Sequence, residues 1–112
     1  MLTISQGVVT SFDGERALQR RERFSRWVAS LQPITGALPP HQISQAPDLF
    51  VEEAARTGID NEQRLFVYAL ARLLIPEMNG LQYMQTMDTV FSPLDTALKV
   101  ETIANIRDRP NG

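Results

Sequence analysis

The sequence predicts an all-α protein, a compact bundle of five or six short helices around a buried central helix. Three observations predict it. Apolar residues recur at helical spacing in several segments, and no stretch alternates apolar and polar residues for the length of a strand. The run Leu65 to Ile75 is apolar on nearly every side, as in a helix covered all round by neighbours. Just before it, Gly58-Ile59-Asp60-Asn61 sets a helix stop directly against a helix start.

The elements follow in order. Thr3 and Gln6 have capping-box spacing, so a first helix begins at about Ile4. Gly7 and Gly14 weaken it, each by roughly 1 kcal/mol relative to Ala. Asp13 offers a fresh cap, so a bend or second start is expected there. A strong helix then runs to about Leu31, with Phe24, Trp27, Val28 and Leu31 on one face. Residues 32–40 read as a loop. Pro39-Pro40 open a helical turn, and Pro47 either opens the next helix or bends a continuous one. That helix turns Leu49, Phe50, Val51 and Ala54 inward and Glu52, Glu53 and Arg56 outward.

At the corner, Gly58 suits the left-handed residue that closes a helix, and Ile59 the apolar contact that follows. Asp60 is the expected cap of the next helix, with Gln63 reaching back to it. The central helix runs from about Asn61 to Leu74, and Pro76 stops it. Asn79-Gly80 reads as a turn. A fourth helix from Leu81 to about Val90 places Leu81, Met84, Met87 and Val90 or Phe91 inward. Ser92-Pro93-Leu94-Asp95 reads as cap, first-turn proline and acid at the third position. The last helix runs to about Arg107, with Asp95 and Lys99 paired at i, i+4. Residues 109–112 are expected to fray.

A chain of 112 residues with 43% hydrophobic residues makes one domain, 1–112. No apolar run approaches the length of a membrane span, and the N-terminus has no secretory signal pattern. The absence of cysteine excludes disulfides and thiolate chemistry and fits a cytoplasmic location. The net charge of −2 argues against nucleic acid as a partner. The charge is uneven, with residues 1–36 at +2 and residues 37–112 at −4.

Little in the sequence suggests catalysis. His41 is the single histidine, with no second ligand at metal spacing. Glu52 and Glu53 are helix neighbours and point about 100° apart. Ser92 is explained as a cap, and Met84 and Met87 as core filler. No enzyme activity, catalytic residue, cofactor or metal is expected. Arg16, Arg20 and Arg23 form a stripe that Trp27 extends, and Arg with an aromatic anchor is favoured at interfaces. The alternative is a solvated flank in which Glu22 pairs with Arg26.

The order Met1-Leu2-Thr3-Ile4, Arg20-Arg21-x-x-Phe24, Glu53-Ala54-Ala55-x-x-Gly58-Ile59-x-x-Glu62 and Tyr68-Ala69-Leu70 resembles small α-helical proteins associated with type VI secretion effector delivery. The likeness covers about residues 1–75. It implies a non-catalytic co-chaperone or adaptor whose partner is a secretion chaperone or effector. The resemblance supplies no catalytic residues. Two other readings stay open: an immunity-like protein that blocks a toxin, and a small helical transcription regulator.

Overall fold

The structure, a computed structural model, describes residues 2–31, 34–36 and 38–109, with side chains from residue 16 on. The described residues form five helices: α1 Leu2–Ala29, α2 Pro40–Arg56, α3 Glu62–Leu74, α4 Gly80–Phe91 and α5 Thr96–Asp108. No strand occurs among the described residues. α3 is the central element and packs against α2, α4 and α5. α1 pairs with α2, and α5 with α4. Leu65 through Ala71 and Leu74 of α3 are all buried, as a helix with almost no polar side requires.

α1 reaches α3 through aromatic rings. Phe24 meets Phe66 edge-on at 5.2 Å, and Trp27 stacks on Phe66 at 6.0 Å. On the other flank Tyr68 is fully buried and its hydroxyl donates to Glu53 of α2. Burial, and then the bond and charge of Glu53, hold the phenol well above its usual pKa. Arg72 sits over Phe50 at 5.5 Å and 3.7 Å from Glu53, closing an α2–α3 network.

The α2–α3 corner forms by the expected cap. Gly58 has φ +92°. The Ile59 amide donates to the Ala54 carbonyl and the Gly58 amide to that of Ala55, which is the paired pattern of a Schellman ending. Ile59 is buried in the core. The cap of α3 is Asn61 rather than Asp60: Asn61 is extended, and its side chain accepts from the Arg64 amide at 2.8 Å. Gln63 therefore lies one position too early to reach back, and donates instead to Thr96 at the start of α5.

Several other expectations are corrected. α1 is one continuous helix, so Asp13 and Gly14 do not restart it. Helical glycines cost stability but do not by themselves break a helix. Of the two alternatives for Pro47, the continuous helix holds: α2 runs through it, and Pro47 is buried. Leu49 is 68% exposed, because Ala46, Pro47 and Ala54 hold the inner face of α2. The cap of α5 is Asp95, accepting from the Leu98 amide at 2.9 Å. Ser92 donates its hydroxyl to the Thr89 carbonyl at 2.7 Å and so closes α4 instead. Asn79 is more than a turn residue, since it caps α4 in a full capping box with Gln82. The side-chain cap expected of Thr3 and Gln6, and residues 110–112, lie outside what is described.

Leu70 is fully buried, so Leu70→Ala should cost about 2–5 kcal/mol in urea unfolding; a cost below 1 kcal/mol would remove α3 from the core. A Cβ at Gly58 would meet nothing within 4 Å, so Gly58→Ala should cost only its conformational penalty, about 1–2 kcal/mol.

Candidate protein-binding surfaces

Two of the four stripe residues of α1, Arg23 and Trp27, are engaged inside the molecule. Arg23 donates two bonds of 2.7 Å to the carboxylate of Glu62, and Arg21 pairs with Asp48. Trp27 is half-buried in the Phe24–Phe66 cluster. Arg20 is half-buried and lines a cavity of about 280 Å³ at the corner, beside Ile59, Asn61 and Leu65. Arg16 is exposed. Glu22 does not pair with Arg26 among the described residues. The polar lining of the cavity is used structurally: Asn61 caps α3, Asp60 lies 3.9 Å from Arg64, and Glu62 holds Arg23.

Groups with possible chemistry stay apart. His41 is exposed in the first turn of α2, Ser92 closes α4, and Glu53 is bound to Tyr68. Among the described residues no three His, Asp or Glu side chains are placed to hold a metal.

The conspicuous surface lies on α4 and the α4–α5 corner. α4 turns Gln82, Thr86, Thr89 and Val90 inward. Leu81, Met84 and Phe91 face out, with Met84 64% exposed, and Leu94 and Leu98 follow at the corner. Of the residues expected inward, Leu81 and Met84 face out, so Met84 is not core filler, while Val90 rather than Phe91 is buried as one of the two alternatives had it. Met87, also expected inward, packs partly against the core. Two of the three inward polar side chains bond locally, while the buried Thr86 hydroxyl has no partner among the described residues. Thr89 donates to the Gln85 carbonyl at 2.8 Å, and Gln82 accepts from the Asn79 amide at 3.0 Å. The Asn79-x-x-Gln82 spacing was the available sequence signal, since a capping box folds the glutamine back onto the helix.

Lys99 fastens α5 to α4. It is 4% exposed and donates from Nζ to the Val90 carbonyl at 2.8 Å, so it does not pair with Asp95. A cation there meets the negative end of the α4 dipole. Burial, and secondarily Arg64, hold its pKa below the usual lysine value.

Comparison with protein-family models, with curated proteins and with solved structures finds no match for this chain. Among the described residues no helix is long and apolar enough to cross a membrane.

The Arg23 bond, partly offset by burial, holds Glu62 below its usual pKa of 4.5. A carboxylate lowered on folding stabilises above its unfolded pKa, and that contribution is lost as pH falls through the folded value. The stability gap between wild type and Glu62→Gln should therefore begin to narrow below about pH 4.5 and close as pH falls through the folded value, and Arg23→Gln should raise the Glu62 titration, followed by NMR. Lys99→Ala should cost about 1.5–3 kcal/mol, the range of a hydrogen bond to a charged group, in urea unfolding.

Proposed function

We propose that this chain is a non-catalytic, protein-binding accessory factor of the co-chaperone or adaptor kind, acting in the cytoplasm in type VI secretion effector loading. The observation that carries the protein-binding part is the outward apolar side of α4 and its corner. Single exposed apolar residues are ordinary, but a contiguous group on one helix face is what partner surfaces use. The assignment to effector loading rests on the resemblance of residues 1–75 described above. Its mechanism is burial of surface: the chain covers an apolar segment of a chaperone or effector until handover. A standard interface removes about 1,600 Å² in total. Of the arginine stripe, this reading keeps Arg16 and Arg20 as partner-facing, because Arg23 is held by Glu62 and Trp27 by Phe66.

The test is a calorimetric titration of the purified protein against secretion chaperones and effectors encoded beside it. The expected result is a saturable complex with one of them. Absence of binding to every such protein overturns the co-chaperone reading. Binding that abolishes a toxin's activity replaces it with the immunity reading.

A further inference from the structure

The charges of the molecule are sorted in a way that specifies a partner. Among the described residues, Asp48, Glu52, Glu53, Asp60, Glu62 and Asp108 all lie within ion-pair distance of an arginine. Glu22, Glu77, Asp88, Asp95 and Glu101 do not; Glu22 lies on α1, whereas Asp88 lies on the outer side of α4 and Asp95 and Glu101 lie at the α4–α5 corner and on α5. Asp88 stands in the same helical row as Leu81, Met84 and Phe91, four residues after Met84 and three before Phe91. Asp95 and Glu101 stand three residues to either side of Leu98. The nearby cations do not neutralise them. Lys99 is turned inward to the Val90 carbonyl, and Arg64 lies over the Phe91 ring at 5.3 Å with Asp60 as its ion partner.

We infer that the outer face of α4 and the α4–α5 corner is the docking surface for a basic amphipathic helix of a partner protein. The inference deepens the protein-binding reading above and rests on it. From Leu81 to Phe91 the row extends about 15 Å at helical rise, long enough to receive three turns of a helix. Methionine at its centre adapts to differing apolar anchors. The unpaired carboxylates select lysine or arginine on the flanks of that helix and repel anionic surfaces such as nucleic acid. α1 of a second copy is the competing source, since Arg16 and Arg26 are exposed on it beside Leu18, and the sedimentation outcome below separates the two.

Two labelled synthetic helices of about 18 residues, or five turns, supply the probes. They share one row of leucines at helical spacing and carry either lysine or glutamate on its flanks. Fluorescence anisotropy with the full chain should show binding of the lysine helix and at least about tenfold weaker binding of the glutamate helix. Met84→Ser/Leu98→Ser should weaken the lysine helix by about tenfold, as loss of central anchors does. Asp88→Asn/Glu101→Gln should weaken it more at low salt than at high salt. Leu18→Ser/Leu49→Ser, the same change on exposed leucines of α1 and α2, should leave it unaltered. All positions changed are exposed, and circular dichroism confirms folding.

Equal binding of both helices, or undiminished binding by the folded α4–α5 variants, overturns the inference. So does loss of binding in the Leu18/Leu49 variant, or a wild-type dimer in sedimentation that Met84→Ser/Leu98→Ser dissolves. The two readings fail separately. A secretion partner that binds the Met84/Leu98 variant as it binds wild type keeps the co-chaperone role and removes this surface. Lysine-helix binding without any secretion partner keeps this surface and removes that role.

Discussion

The near-complete burial of α3 is the constraint on which the other helices depend. A helix with apolar side chains on almost every side is tolerable in water only when neighbours cover it. α2, α4 and α5 lie against it, and α1 closes the Phe66 side with Phe24 and Trp27. The polar groups that α3 does carry are placed where partners reach them. Tyr68 bonds Glu53, Arg72 lies beside it, and Glu62 at the first turn holds Arg23 of α1. A buried tyrosine hydroxyl with a carboxylate partner satisfies the one strongly polar atom of the α3 core.

This constraint also explains why α4 presents an apolar side to solvent. Its inner face is built of Gln82, Thr86, Thr89 and Val90, small or self-bonding groups that seat against α5 and α3. Lys99 then ties the end of α4 to the first turn of α5. The larger residues of α4 are left outside, with carboxylates that have no internal cation. On the α1–α2 side, Arg21 and Arg23 are engaged within the fold, while Arg16 and Arg26 are exposed.

The sequence made the architecture legible where local and long-range signals agreed. Gly58, Ile59 and Pro76 bound α3 as their backbone preferences require, and the apolar run between them could only be central. It was less informative where two residues could do one job. Asp60 and Asn61 are both good caps, and the register of α3 in the core selects Asn61. Ser92 and Asp95 compete likewise, and Ser92 is occupied by the Thr89 carbonyl. On α4 the expectation holds for Val90 and partly for Met87 but fails for Leu81 and Met84, because Gln82, Thr86 and Thr89 form an equally regular inward face. Lys99 could not be placed from sequence, since its acceptor is a backbone carbonyl nine residues earlier. Of the four expected partner-facing residues, Arg16 is exposed and Arg20 half-buried at the corner cavity. The roles of Arg23 and Trp27 depend on Glu62 and Phe66, contacts across 39 residues that helical spacing does not reveal.

The orientation of α4 decides the account, and methyl NMR with a soluble paramagnetic agent measures it directly. With Met and Thr methyl groups labelled, the Met84 methyl should broaden strongly while that of Thr86, which is fully buried, stays sharp. A sharp Met84 methyl beside a broadened Thr86 methyl would turn α4 over, return its apolar side to the core and remove the docking surface.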